Sequence, residues 1–239
     1  MIHPAAIVHP NAKLAADVEV GAYSIVGEHV EIGAGTVIGP HVVINGHTRI
    51  GQHNRIFQFC SLGEIPQDKK YANEPTRLEI GDHNTIREFC TFNLGTAQDA
   101  GVTRVGNHTI FANNSQLAGH VHVGDYAILG GFTVVHQFVR IGAHIITGMG
   151  TILLQDVPPY VLASGNPCAP HGINAEGLKR RGYSGAAIMA IKRAYKALYK
   201  SGLSFDEAKA AVASQLAEHA ELQPLVDFLA TTSTRGIVR

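Results

Sequence analysis

From Ile2 to Leu62 every sixth residue is Ile, Leu or Val: Ile2, Val8, Leu14, Val20, Val26, Ile32, Ile38, Ile44, Ile50, Ile56 and Leu62. These residue types fill about a quarter of an ordinary chain, so eleven such positions in a row arise by chance less than about once in a million. The period is neither the 3.6 of an amphipathic helix nor the 2 of a half-buried strand. Three six-residue units instead make one 18-residue turn of a triangular parallel coil, with every aliphatic pointing into the prism. Coils stack as parallel strands about 4.8 Å apart, so each covers the apolar column of its neighbour and none is stable alone. Gly21, Gly27, Gly33, Gly39 and Gly51 directly follow the aliphatic positions. A residue without Cβ there predicts tight corners.

The same phase returns at Ile80, Ile86 and Phe92, then slips and resumes at Val105, Phe111, Leu117, Val123, Leu129, Val135 and Ile141. Two loops therefore leave the prism, one within residues 63–79 and the other within 93–104. Loops on a rigid solenoid are natural carriers of binding residues, although a plain surface excursion fits the pattern equally well.

After Asp156-Val157-Pro158-Pro159 the hexads end. Ile188, Ile191, Tyr195 and Leu198, spaced 3, 4 and 3, share one helical face, and Gly202 is suited to ending that helix. Ser204-Phe205-Asp206-Glu207 reads as a capping box opening the next helix. The chain thus divides into a β-solenoid over 1–170 and a helical domain over 171–239. The helices, from about residue 175, are expected to cover the open end of the coil, whose exposed edge would invite aggregation.

With 19 basic and 19 acidic residues, no global field recruits nucleic acid or an anionic membrane surface. The N-terminal apolar residues belong to the hexads, so neither a signal peptide nor a membrane insertion is expected. Cys60, Cys90 and Cys168 have no metal-ligand spacing and predict reduced thiols in a cytoplasmic protein.

More specific are the loop Gly63-Glu64-Ile65-Pro66-Gln67-Asp68-Lys69-Lys70-Tyr71 and the run Glu74-Pro75-Thr76-Arg77. With them go Leu117-Ala118-Gly119-His120-Val121, Val135-His136-Gln137-Phe138, Glu176-Gly177-Leu178-Lys179-Arg180-Arg181-Gly182 and the terminal Ser233-Thr234-Arg235-Gly236-Ile237. Together these resemble the acyl-[acyl-carrier-protein]:UDP-N-acetylglucosamine O-acyltransferase family over essentially the whole chain. The resemblance implies a left-handed parallel β-helix followed by a C-terminal helical domain. It also implies a homotrimer with active sites between neighbouring coils. There a 3-hydroxyacyl chain passes from acyl carrier protein to the 3-hydroxyl of UDP-N-acetylglucosamine, the first step of lipid A biosynthesis. Neither metal nor cofactor is implied beyond the carrier-protein thioester.

In that family a His deprotonates the sugar hydroxyl, and a neighbouring Asp orients it. The chemistry needs an imidazole whose pKa lies near the working pH. The family's His-x-x-His-Asp coil precedes the stretch that reads here Ile110-Phe111-Ala112-Asn113-Asn114, but in this chain Val105-Gly106-Asn107-His108 runs directly into Thr109. About eighteen residues, one turn of the prism, are absent. Removing a whole turn keeps the hexad phase and brings everything beyond the junction about 4.8 Å closer to the N-terminal half. His120, a substrate-contacting position in the family, is the candidate substitute base, ahead of His122 and His136. Most other histidines, including His29, His41, His53 and His83, are read as solvated turn residues.

By the same resemblance, Gln67, Asp68 and Lys70 belong to the substrate loop, and His136 and Gln137 line the sugar site. Asn174, Glu176, Arg180 and Arg181 match the nucleotide-binding set, where paired guanidiniums suit diphosphate oxygens. Asn93 stands where many members have a His. Met149 falls where residue size limits the acyl pocket and predicts shorter 3-hydroxyacyl chains; its alternative is a core-facing gap filler. Three functional readings follow: the acyltransferase, a non-catalytic trimeric binding relative or deletion variant, and a hexapeptide metalloenzyme of carbonic anhydrase type. The last would draw ligands from His120, His122, His136 and His144, whose spacing gives it little support.

Overall fold

A computed structural model describes residues 1–231 and 234–239, with Asp99 described through its backbone; Ser233 of the terminal motif lies outside the described residues. Short strands repeat around a three-faced prism, and each pairs in parallel with the strand one turn earlier and one turn later. The first face runs from Ile7–Val8 to Ile152–Leu153, the second from Lys13–Leu14 to Arg140–Ile141, and the third from Glu19–Val20 to Val161–Ser164. The hexad aliphatics fill the interior: Val20, Ile38, Ile56, Ile86, Phe111 and Leu129 stack up the third face, and all are buried.

The prism closes across the junction at His108 and Thr109. Thr85–Ile86 pairs directly with Ile110–Phe111, and Thr91–Phe92 with Gln116–Leu117, so the ladder continues in phase.

The corners are made differently from the expectation. Gly21 and Gly33 do not carry a left-handed backbone. They are glycines because the next turn lies against them: a Cβ on Gly21 would sit 2.6 Å from the carbonyl carbon of Gly39, and one on Gly33 would sit 2.7 Å from that of Gly51. The left-handed conformation falls instead on ring-bearing residues, with φ of 60° at Tyr23, 56° at His41, 54° at His53, 57° at His83 and 55° at His108. Non-glycine residues resist this conformation by about 1–2 kcal/mol. Stacking between successive turns offsets that cost. His53, His83, His108 and Tyr126 form a continuous pile with centroid spacings of 4.9, 4.9 and 4.7 Å. The histidines read as solvated turn residues are turn residues, and His29, His41, His53 and His83 are also stacked on a neighbouring ring.

Both loops leave at the corner between the first and second faces, on consecutive turns. The first joins Ser61–Glu64 to Arg77–Ile80, and the second joins Thr91–Asn93 to Val102–Val105.

At the C-terminal end an antiparallel strand, Ala169–Ile173, folds back on Val161–Ser164 and ends the third sheet. Helices α1 (Ala175–Arg180), α2 (Gly185–Tyr199), α3 (Phe205–Ala213) and α4 (Gln223–Ala230) follow. The Ser204–Glu207 capping box is present, and α2 ends at Tyr199, ahead of Gly202. Leu178, Ile191, Ala194, Leu222 and Leu225 pack around Tyr160, so the helices seal the last turn with a second small core. Ile237 of the terminal segment bridges to Asp156. The open end is thus closed by a hairpin, the tail and the helices together.

Candidate functional site

The outward position of each first-face strand is the residue before the buried aliphatic, so Thr91, Gln116 and Val134 project from neighbouring turns. Above them hangs the first loop. Together they enclose a groove of about 270 Å3 whose lining includes Pro66, Gln67 and Asp68 overhead and Asn93, Gly119, His136 and Gln137 on the coil side. Four of the expected substrate residues, Gln67, Asp68, His136 and Gln137, therefore meet. Lys70 does not line this groove; it is exposed, and its backbone N–H donates to Asp68 Oδ1 at 2.9 Å. His136 is exposed, with Nδ1 3.3 Å from the Gln137 carbonyl oxygen.

The overhang is held by Glu74. Its carboxylate accepts the backbone N–H of Ala72 at 2.6 Å and that of Ala97, in the second loop, at 2.8 Å. Hydrogen bonds from its own backbone, then from Ala72 and Ala97, hold this carboxyl below the usual glutamate range. Asn93 Nδ2 donates to the Ile65 carbonyl at 2.9 Å, and Leu94 N–H donates to that of Glu64 at 2.9 Å. The two loops form one unit.

The structure places His120 beneath the second loop, not in the groove. It turns its corner with φ of 64° and is 3% exposed. Its Nε2 accepts the Thr96 backbone N–H at 2.8 Å and lies 3.0 Å from Thr96 Oγ1, while the ring stacks on Phe138 at 4.1 Å. The nitrogen that would take a substrate proton already accepts one hydrogen bond. Gly95 is what allows this closeness, since a Cβ there would lie 2.8 Å from His120 Cε1.

The nucleotide set lies elsewhere. Asn174 is buried and caps α1: Oδ1 accepts from Gly177 N–H at 3.1 Å, and Nδ2 donates to the His144 carbonyl at 3.0 Å. Glu176 is exposed and pairs with Lys179 at 2.7 Å, which lowers its pKa. The two arginines diverge. Arg180 points to solvent, whereas Arg181 lies over the Tyr126 ring at 5.1 Å and donates to the Tyr126 carbonyl at 3.1 Å. Tyr126 and His144 belong to the corner between the second and third faces, so this set and the groove occupy different edges of one prism.

Met149 is 82% exposed on the remaining corner, which rules out a core-facing gap filler. His120 and His144 lie on different corners, and no cluster of three or more metal-ligating side chains occurs among the described residues. No helix among those residues is long and apolar enough to cross a membrane.

The sequence pattern gave Glu74, quoted only within its motif, no role and did not point to Gly95 or Thr96. Outward-facing Thr91 and Gln116 were within reach of the hexad arithmetic; the loop partners of His120 carry no periodic signal.

Residues 156–238 match the family described as Udp N-acetylglucosamine O-acyltransferase; Domain 2. The acyl-[acyl-carrier-protein]–UDP-N-acetylglucosamine O-acyltransferase of Thiobacillus denitrificans is 60% identical, the alignment covering 100% of this chain and 99% of the relative. Its Neisseria gonorrhoeae counterpart is 54% identical with the same coverage. The crystal structure of UDP-N-acetylglucosamine O-acyltransferase (LpxA) from Moraxella catarrhalis superposes with a TM-score of 0.87 at 44% identity, covering 100% of this chain and 99% of its own. LpxA from Acinetobacter baumannii gives 0.86 at 46%, again over 100% and 99%.

With these likenesses, the prism, its paired corner loops and its helical cap define a left-handed β-helix acyltransferase. The chain belongs to the acyl-[acyl-carrier-protein]–UDP-N-acetylglucosamine O-acyltransferase family. The Thiobacillus alignment spans 256 positions against the 239 residues here, so at least 17 (256 − 239) of those positions have no counterpart, close to one 18-residue turn.

Proposed function

We propose that this protein binds UDP-N-acetylglucosamine in the loop-covered groove and accepts a 3-hydroxyacyl chain from acyl carrier protein onto the sugar 3-hydroxyl. This is the opening step of lipid A biosynthesis, carried out in the cytoplasm without metal or cofactor. The observation that carries the reading is the meeting of Gln67, Asp68, His136 and Gln137 around one groove in a chain 60% identical, end to end, to a named acyltransferase. A homotrimer is part of the proposal. Two observations support it: the groove and the Arg181 set occupy different edges of one chain, and a third edge exposes Tyr23, Phe59, Phe89 and Phe132, an apolar ridge suited to a neighbouring copy. Of the histidines, His136 lines the groove, so it is the imidazole within reach of a bound hydroxyl.

A second reading is a binding relative without turnover. The engagement of His120 by Thr96, together with the unmatched turn, favours it. A single-turnover assay with 3-hydroxyacyl carrier protein and UDP-N-acetylglucosamine, paired with calorimetric titration of the UDP-sugar, separates the two. Product formation abolished in His136→Ala supports the enzyme. Binding without product supports the relative, and neither binding nor product removes both.

A further inference from the structure

We propose that His120 is a positioning residue, a latch that fixes both corner loops over the groove. The proposal rests on the reading above only in taking the groove as the UDP-sugar site. The ring is set by the coil: its corner backbone and its stack on Phe138 aim Nε2 outward along the prism edge. There Nε2 accepts from Thr96 N–H at 2.8 Å, and Thr96 is itself only 4% exposed. A hydrogen bond in such a dry place is strengthened by its surroundings, and its loss leaves an amide with no water to turn to.

From Thr96 the constraint passes along the chain to Ala97, whose N–H donates to Glu74 Oε1 at 2.8 Å. Leu94 and Asn93 add bonds to the carbonyls of Glu64 and Ile65, each at 2.9 Å. Glu64 and Ile65 directly precede Pro66, Gln67 and Asp68, the residues that roof the groove. The order of dependence is therefore coil corner, second loop, first loop, roof. A buried N–H left unsatisfied costs about as much as local loop opening, so removing the acceptor at position 120 releases the second loop first.

The test separates a hydrogen-bond acceptor from a base and from mere bulk. His120→Gln keeps a side-chain oxygen that accepts from Thr96 but cannot act as a base. His120→Phe keeps a ring to stack on Phe138 but has no acceptor. Amide hydrogen exchange is followed in residues 94–101 and 63–76 without ligand, and UDP-N-acetylglucosamine affinity is measured by titration. In His120→Phe, exchange in both segments is expected to rise about ten-fold or more and affinity to fall, while His120→Gln stays within about three-fold of the parent on both readouts. Parent-level exchange in His120→Phe, or equal release in the two variants, overturns the latch. Glu74→Ala tests the order even if His120→Phe does not fold: exchange should rise in 63–76 and at Ala97, which loses its acceptor, and stay low at Thr96, still held by His120, and equal release of Thr96 overturns the proposal. A parent that fails to bind the UDP-sugar removes the functional reading, while the exchange readout still decides the latch.

Discussion

Thr109 donates twice to one atom of Asn84: its backbone N–H lies 2.8 Å and its hydroxyl 2.7 Å from Asn84 Oδ1. Both residues are buried, and they face each other across the junction of His108 and Thr109. One turn earlier, Asn54 accepts the Asn84 backbone N–H at 2.9 Å and spends its own amide on the Gly81 carbonyl, also at 2.9 Å. Asn84 continues the acceptor half of that ladder, but its buried Nδ2 finds no hydrogen-bond partner among the described residues. Asn84→Ala removes the acceptor on which Thr109 relies and is expected to cost about 1–3 kcal/mol, read as a lower urea midpoint at unchanged m-value.

Asp156 is fully buried. It accepts Arg140 Nε at 2.8 Å and Arg140 backbone N–H at 2.9 Å, and its backbone pairs with Gly236 and Val238 of the terminal segment. Asp156→Ala takes the acceptor from Arg140 Nε and from the Arg140 backbone N–H while leaving the backbone pairing to the tail in place, with an expected loss of about 3 kcal/mol. Chemical denaturation checks it, and an unchanged urea midpoint would contradict it; the tail, held through main-chain atoms, should stay as resistant to limited proteolysis as the parent's.

His144 is caught between Tyr126 and Tyr160, at 4.9 and 5.6 Å, with the Tyr183 hydroxyl 3.2 Å from Nε2. Burial first, then the positive charge of Arg181, pushes its imidazole down to about 4, with Asp125 opposing. The folded pKa thus lies below the ordinary value of about 6.5, so on acidification the unfolded chain takes the proton first. The contribution is complete above about pH 6.5, falls as pH drops through that window, and levels off near the folded value. The parent should lose on the order of 1–3 kcal/mol from this group between neutral pH and pH 4, and His144→Phe, which keeps the stack, should lose correspondingly less. Urea midpoints of both proteins across that range give the comparison, and identical pH slopes would count against it.

The inward column was legible to the residue: every position from Val20 to Ile141 singled out by counting in sixes is buried, whereas in the looser N-terminal turn Val8 and Leu14 are partly buried and Ile2 is exposed. Loop positions and the Ser204 capping box were equally legible, because periodicity and capping are local properties. What lay beyond reach depends on contacts between turns. That the glycines answer to a neighbouring backbone, that Arg181 folds inward onto Tyr126 away from Arg180, and that His120 meets Thr96 all require knowing what sits about 4.8 Å above or below. Asn174 shows the same limit: the resemblance assigned it to nucleotide binding, whereas the structure has it capping Gly177 and holding the His144 carbonyl.

Gly33→Ala tests the close approach between turns. The added methyl meets Gly51 backbone, which cannot swing aside as a side chain would. A cost of about 1–3 kcal/mol is expected, visible as a lowered thermal midpoint.

Met149 stands exposed on the corner, free to reach a neighbouring copy's groove in the proposed trimer. Competition among 3-hydroxyacyl carrier proteins should show preference for shorter chains, and Met149→Gly should shift it toward longer ones by about ten-fold, the worth of one or two methylenes. A parent that favours the longest chain defeats the assignment.

The uninterrupted ladder from Ile86 to Phe111 makes the prism a ruler with fixed graduations. Its length changes only by whole marks, because any fraction would turn the apolar column outward. Under the proposed function, a substrate long enough to touch both the loop-bearing corner and the helical cap is measured against that scale. On the proposed reading, the rule in this chain is one mark short.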